Sequence, residues 1–119
     1  MNTVKIIAER ALDAEKVGGQ LPYFGPTVQN DVTASRALDT VYQNTTGKVM
    51  TVTAIITSTI AANFYGVTGA NNPPTLLRFK EAQSVGWAQT VAITVFPDQY
   101  YKIYIDGGTP TITIWIEEY

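Results

Sequence analysis

The stretch VYQNTTGKVMTVTAIITSTI, residues 41–60, has the most regular pattern in the chain and contains one charge, Lys48. From Val49 to Ile60 apolar side chains alternate with threonines, as expected of a strand with one buried and one exposed face. The apolar set is Met50, Val52, Ala54, Ile56 and Ile60, and the opposite set is Thr51, Thr53, Thr57 and Thr59, with Ile55 as the exception. Because threonine is β-branched and polar without charge, we predict a half-buried antiparallel strand or two linked strands.

Three later segments show the same alternation and predict further strands. They are TVAITVF at 90–96, YYKIYI at 100–105 and TITIWIE at 111–117. The last two are separated by DGGTP, whose adjacent glycines favour a tight turn, so we expect residues 100–118 to form a hairpin. Its predicted inner face holds Tyr101, Ile103, Ile105, Ile112, Ile114 and Ile116, and its predicted outer face holds Lys102, Thr111, Thr113 and Trp115.

Strands at this spacing, joined by loops of mixed length, predict a mainly β protein. The plainest loop lies within NFYGVTGANNPPT, residues 63–75, where two adjacent prolines cannot continue a strand ladder. We predict an antiparallel β-sandwich of seven or eight strands, jelly-roll-like, with an N-terminal arm that contains a short helix.

The first forty residues differ from the rest in composition, since they hold nine of the eighteen charged residues. Thr3 can cap a short helix that Gly18 or Gly19 can end, and glycines and prolines then predict an extended arm rather than a strand. The apolar positions at helical spacing are Val4, Ile7, Ala11 and Ala14. We therefore divide the chain into an arm, residues 1–40, and a β domain, residues 41–119. The residues predicted to attach the arm to its partner are Ile7, Ala11, Tyr23 and Phe24.

Composition excludes several classes of function. A net charge of −2 without a basic cluster argues against binding to nucleic acid or to an anionic membrane. The chain has no cysteine and no histidine, which removes the thiolate nucleophile, the imidazole base and the usual soft metal ligands. No apolar run is long enough to span a membrane, and acidic residues occupy the place of a signal peptide's apolar core. We expect a soluble protein that uses no metal or cofactor.

Catalysis is not predicted from the carboxylates. Glycoside hydrolysis needs two carboxyl groups that face one cleft. The candidates in the β region are Glu81, Asp98, Asp106, Glu117 and Glu118. Glu117 and Glu118 are adjacent on a strand and so point to opposite faces, and Asp106 leads a turn. A polysaccharide-cleaving enzyme is therefore the most distant alternative. Asn44, although it begins the glycosylation pattern Asn-Thr-Thr, is interpreted as a turn residue.

Aromatic side chains near amides are the remaining candidates for a binding surface, because rings supply contact area for a saccharide or a protein at little entropic cost. The aromatic candidates are Tyr65, Trp87, Tyr100 and Trp115, and the alternative that most of them pack in the core or a subunit contact stays open. The predicted surface contacts are Asn63, Tyr65, Asn71, Asn72, Trp87 and Gln89. A host cell-surface glycan is the candidate ligand.

Two segments, TASRALDTVYQNTTGKVMTVTAI at 33–55 and FPDQYYKIYIDGGTPTITIWIEEY at 96–119, resemble a domain of small virion proteins of tailed bacteriophages, including fibre tips and tail-associated proteins. The shared features are Arg36-Ala37-Leu38, the turn from Tyr42 to Lys48, the strand start Tyr100 to Lys102, and Trp115. Val49 departs from the proline of that pattern. The resemblance implies a β-sandwich, self-association that is usually trimeric, no catalysis, and a place in the virion, which assembles in the host cytoplasm.

Two roles in a virus particle are compatible with that resemblance. In the first, the protein is a tail or fibre component that contacts the host surface, assembles through its β domain and attaches to other virion proteins by its arm. In the second, it is a capsid decoration protein that grips the head shell with the arm. The sequence does not distinguish between them.

Overall fold

The computed structural model describes residues 25–83 and 87–119 and contains eight β-strands and one short 3-10 turn in these ranges. The strands are β1 Gln29–Asp31, β2 Tyr42–Gln43, β3 Met50–Thr57, β4 Ala62–Gly69, β5 Leu76–Gln83, β6 Ala88–Val95, β7 Tyr100–Ile105 and β8 Thr111–Glu118. The predicted N-terminal helix lies outside the described residues, and so do the predicted arm contacts Ile7, Ala11, Tyr23 and Phe24. Within the described ranges, no helix has the length and apolar character needed to cross a membrane.

Two antiparallel four-stranded sheets make up the fold. The first sheet has the order β1-β8-β3-β6 and the second sheet has the order β2-β7-β4-β5. One hydrophobic core lies between them and includes Val52 and Ile56 from the first sheet and Phe64 and Ile103 from the second. The prediction of a mainly β, antiparallel, sandwich-like fold is confirmed.

Strand β3 shows the alternation predicted for it. Its buried residues are Met50, Val52, Ala54 and Ile56, and its half-buried residues are Thr51, Thr53, Ile55 and Thr57. The prediction is wrong for Ile60, which is 50% exposed, because the strand ends at Thr57 and Ile60 lies in the following turn. Ser58 is buried there instead, and its hydroxyl bonds to the Ile60 carbonyl.

The predicted hairpin of residues 100–118 is wrong, since β7 and β8 belong to different sheets. Both edges of β7 are already paired, with β2 and β4, and both edges of β8 are paired with β1 and β3. The DGGTP segment therefore crosses from one sheet to the other. Gly108 in it has φ of 75°, a left-handed conformation that glycine adopts without strain.

A β-bulge in β8 corrects the predicted faces of that strand. Ile112 pairs with Ile56 and Ile114 pairs with Ile55, which leaves Thr113 as an extra residue. One extra residue reverses which face every later side chain occupies. Ile112 packs against the core as predicted, but beyond the bulge Trp115 and Glu117 are buried. The predicted inner positions Ile114 and Ile116 instead point outward, and the predicted outer position Trp115 points inward.

The prediction that the extended segment of the arm forms no strand is wrong for residues 29–31, which are β1. Asn30 pairs with Glu117, and the Thr27 and Val28 amides donate to the Tyr119 carbonyl. The pairing uses backbone groups along the edge of β8, and therefore requires no apolar alternation in the polar residues of β1. The division of the chain at residue 40 into an arm and a β domain stays a prediction.

Candidate functional site

Two stacked tyrosines lie on the outer face of the second sheet. Tyr65 of β4 is directly opposite Tyr104 of β7. Their ring centroids are 4.8 Å apart and the ring planes differ by 14°. Directly opposed side chains on neighbouring antiparallel strands are close enough for such stacking, and the buried positions Phe64 and Ile103 beside them turn these rings away from the core.

Two lysines extend this pair into a row of four side chains, Lys80, Tyr65, Tyr104 and Lys102, called the tyrosine–lysine row below. The Lys80 Nζ lies 5.8 Å from the Tyr65 ring centroid, and the Lys102 Nζ lies 4.9 Å from that of Tyr104. Since β5 and β7 flank β4 on opposite sides, Lys80 and Tyr104 approach Tyr65 from neighbouring strands on either side of it. The Lys102 Nζ also lies 3.4 Å from the Asp39 carboxylate, whose side chain is 78% exposed.

Asp106 adds a carboxylate beside the row. The Asn63 backbone amide and its side-chain Nδ2 donate to the two carboxylate oxygens, at 2.8 and 2.9 Å, and the Tyr65 hydroxyl donates at 3.4 Å. The hydrogen bonds from Asn63 lower the pKa of Asp106. Partial burial and the Asp106 carboxylate raise the pKa of Tyr65. At neutral pH Asp106 is therefore ionised, and the Tyr65 phenol beside it keeps its proton.

The outer face of the first sheet is chemically different, and its three longest strands present mainly threonine and aliphatic side chains. We call the following set the uncharged face: Thr51, Thr53, Ile55, Thr57, Ala88, Thr90, Ala92, Thr94, Ile114 and Ile116. Ile55 lies between Ile114 and Thr90 in the register of the sheet. Charged groups that are described on this face, Asp31 and Glu118, lie toward the β1 side.

A carboxylate inside the sandwich holds the segment after β1. Glu117, which is 5% exposed, accepts hydrogen bonds from Arg36 Nε at 2.8 Å, Arg36 Nη2 at 2.9 Å, Trp115 Nε1 at 3.1 Å and the Tyr101 hydroxyl. The Arg36 guanidinium also lies 4.6 Å from the ring centroid of Tyr42. Burial, followed by the bond to Glu117, raises the pKa of Tyr101, and the bond to Glu117 raises that of Arg36. These bonds occupy both oxygens of the Glu117 carboxylate.

The structure separates the predicted surface contacts into different regions. Asn63 and Tyr65 lie together beside Asp106. Asn71 and Asn72 are exposed in the β4–β5 connection, which follows Gly69 at the other end of β4. These asparagines are therefore not part of the tyrosine–lysine row.

The two remaining predicted contacts lie near β6. Trp87 is 66% exposed and precedes β6 at the end of the sandwich where Gln83 pairs with Ala62, the neighbour of Asn63. Gln89 is opposite Ile56 and so lies on the side of β6 that faces the core. Of the aromatic candidates, Trp115 is fully buried and Tyr100 half-buried, so the prediction of exposure is wrong for Trp115.

The row is completed by three residues that are absent from the predicted surface contacts: Tyr104, Lys80 and Lys102. A signal existed for β7, where Lys102 and Tyr104 alternate with the apolar Ile103 and Ile105 and so share the outer face. The pairing of β7 with β4, which brings Tyr104 against Tyr65, has no such local signal.

The candidate catalytic carboxylates lie in different parts of the fold. Glu117 is buried and paired with Arg36, and Glu118 lies on the outer face of the first sheet. Asp98 and Asp106 flank β7 at its opposite ends. Absence of catalysis stays a prediction.

Asn44 is a turn residue, as interpreted from the sequence. It is 1% exposed, and its Nδ2 donates to the carbonyls of Lys48 and Val95 at 2.7 and 2.9 Å. Its Oδ1 accepts from the backbone amide and hydroxyl of Thr46. The amide nitrogen that a glycan would modify is thus used to tie the β2–β3 turn to β6.

The described chain therefore presents two contrasting outer faces, one rich in tyrosine and lysine and the other uncharged. Neither face holds an arrangement of groups specific to one known reaction. The sequence matches no protein-family model, and comparisons with characterised proteins and with solved structures find no significant similarity.

Proposed function

We propose that this protein is a non-catalytic structural component of the exterior of a bacteriophage particle, of the tail or fibre type. In this proposal it self-associates as a trimer through the uncharged face, and the arm of residues 1–40 attaches it to other virion proteins. The observation that carries the proposal is the contrast between the two sheets. One presents a face suited to a neighbouring protein, and the other presents polar and aromatic groups to a ligand.

The strand order supports the jelly-roll form of the sandwich. The strands pair as β4 with β5, β3 with β6, β2 with β7 and β1 with β8. This nested pattern arises when the whole chain forms one long antiparallel hairpin that is then wrapped into a sandwich. Successive strand pairs along the hairpin then lie in opposite sheets. Two four-stranded sheets connected in this way occur in jelly rolls, an architecture of viral capsid and lectin domains. It agrees with the virion resemblance of residues 33–55 and 96–119.

Self-association through the uncharged face is favoured by its chemistry. Burying threonine and aliphatic side chains requires no desolvation of charge, whereas burying ionised groups is costly unless each is paired. Threonine hydroxyls can also hydrogen-bond across an interface. We expect Ile55→Lys to dissociate the oligomer, because a lysine placed in the middle of this face would lose its hydration without a partner.

Light scattering on the purified protein tests this interface. The unaltered protein should be an oligomer and the Ile55→Lys variant a folded monomer. Ala82→Lys, which adds the same charge at an exposed position of the second sheet, is the matched control and should stay oligomeric. A monomeric unaltered protein at micromolar concentration would exclude self-association.

Labelled-antibody electron microscopy of purified particles tests the proposed location. We expect label on the tail or its fibres. Label on the head shell would instead favour the alternative, a capsid decoration protein, and particles without label would overturn both. Hydrolysis of host polysaccharide by the purified protein would revive the enzyme alternative.

A further inference from the structure

We propose that the tyrosine–lysine row, together with Asn63 and Asp106, binds a saccharide that carries a carboxylate, such as a uronic acid. The inference rests on the proposed function, since it names the chemistry that the exposed second sheet would recognise on a host surface. It commits to a site and a ligand class that the proposed function leaves open.

The lysines supply the affinity for a negative charge. Lys80 is exposed and lies over the Tyr65 ring, and none of the described acidic side chains is within ion-pair distance of it. The attraction between an ammonium and a ring limits where the ammonium lies but leaves its charge uncompensated. Among the described acidic residues, Lys102 is paired with Asp39 alone, which is largely exposed, and exposed ion pairs are weak. A ligand carboxylate can therefore approach either lysine and gain charge-assisted hydrogen bonds.

The neighbouring groups supply recognition of hydroxyls. Asp106 is held by the two hydrogen bonds from Asn63 and by the Tyr65 hydroxyl, so its oxygens have fixed directions. A carboxylate oxygen has more than one acceptor position and can also accept a bond from a sugar hydroxyl. The phenol of Tyr104 provides a further donor and acceptor. A ligand that carries several hydroxyls and one negative charge matches this mixture better than a simple anion does.

The probe for this site is tri-galacturonate, in which every sugar carries a carboxylate, and the reference ligand is its methyl ester, which has the same ring and hydroxyls without charge. Both are titrated into the isotope-labelled full chain and followed by amide chemical shifts. We expect the acid to shift the amides of β4, β5 and β7 near the row, and the ester to bind at least about fivefold more weakly. Binding of the acid should weaken as salt is raised.

A charge-matched pair of variants locates the interaction. Lys80→Gln should weaken tri-galacturonate binding roughly two- to fivefold, which is the effect of losing one exposed charge contact. Lys48→Gln removes the same charge from an exposed turn at the other end of the sandwich and should change the affinity less than about twofold. The comparison of acid with ester uses the unaltered protein, and so does not depend on how either variant folds.

Four results would overturn the inference: equal binding of acid and ester, shifts confined to another surface, an equal effect of the two variants, or no shift at millimolar ligand. Equal or stronger binding of a hexaglutamate peptide would assign the row to an acidic protein segment instead. The microscopy of particles is independent of these titrations. If the particles are labelled but the purified protein does not bind the saccharide, only this inference is refuted. If the particles are unlabelled but the purified protein binds the saccharide, only the proposed location is refuted.

Discussion

At the scale of single residues, the buried Glu117 accepts four side-chain hydrogen bonds. Its donors come from the segment after β1, from β7 and from β8 itself, and so connect both sheets to the segment between β1 and β2. A buried carboxylate is tolerated only where its charge is paired and its lone pairs are used. Both conditions hold here, through the two-bond contact with Arg36 and the bonds from Tyr101 and Trp115.

Glu117→Ala should destabilise the protein by roughly 2 to 4 kcal/mol, because it leaves Arg36 without its partner and two buried donors without an acceptor. The loss is smaller than for a fully buried ion pair because the Arg36 side chain is 21% exposed and regains some hydration. Urea denaturation measures the loss. Glu118→Ala, the neighbouring substitution on the outer face, is the control and should cost less than about 0.5 kcal/mol. Similar losses for both would contradict the described role of Glu117.

Tyr101 predicts how stability responds to high pH. Its pKa is raised above the ordinary value of 10.0, chiefly by burial and then by the bond to Glu117. The unfolded state therefore loses the phenol proton first, so the stabilisation is fully present below pH 10 and is lost as pH rises through the folded pKa. Tyr101→Phe lowers the free energy of unfolding at neutral pH, but it also removes the phenol that ionises in alkali. We therefore expect the free energy of unfolding to fall less between neutral pH and alkali in this variant than in the unaltered protein. Absorbance titration of tyrosinate should show Tyr101 ionising only as the protein unfolds.

At the scale of elements, the bulge in β8 places Ile103 and Ile114 in different environments, although the sequence predicts both on the inner face of one hairpin. Ile103 is fully buried, whereas Ile114 is half-buried on the outer face. Ile103→Ala should cost about 2 to 5 kcal/mol of unfolding free energy, the usual range for a cavity in a core. Ile114→Ala should cost less than about 1.5 kcal/mol in the monomer. Chemical denaturation of both variants in the monomeric Ile55→Lys background checks the ordering, and equal losses there would contradict the bulge.

The sequence predicted well those features that depend on local period and poorly those that depend on pairing. The alternation in β3 identifies its buried residues because each side chain's face is decided by its position in the strand. The glycines of DGGTP indicate a turn, but nothing local indicates which sheet receives the strand after it. Thr113 likewise gives no sign of being an extra residue, because a bulge is recognised only against the partner strand. Tyr65 could be selected as an exposed aromatic, but its contact with Tyr104 depends on the same long-range pairing.

At the scale of the whole molecule, the chain before β2 is part of the sheet structure as well as the proposed route of attachment. Residues 29–31 pair with β8, and Arg36 contacts Glu117. Residues 29–36 of the predicted arm therefore belong to the β fold.

Deleting residues 1–24 should leave the described fold intact and abolish binding to particles that lack the protein. Deleting residues 1–40 should also weaken the fold, because β1 is lost and Glu117 loses Arg36. Circular dichroism with thermal unfolding reports stability, and co-sedimentation with particles reports binding. If the shorter deletion still binds with full affinity, attachment resides in the sheets and their loops.

The nested pairing of strands also has a kinetic consequence. Arg78 and Thr68, which are bonded across β4 and β5, are ten positions apart, whereas Gln29 and Glu118, bonded across β1 and β8, are 89 apart. The entropy lost on closing a loop grows with its length, unless inner contacts have already shortened it. Folding is therefore expected to proceed outward from β4–β5, with β1 docking last. Until it docks, β8 presents an unpaired edge to the solvent, so a newly made chain is most exposed to wrong association at the strand that carries Trp115 and Glu117.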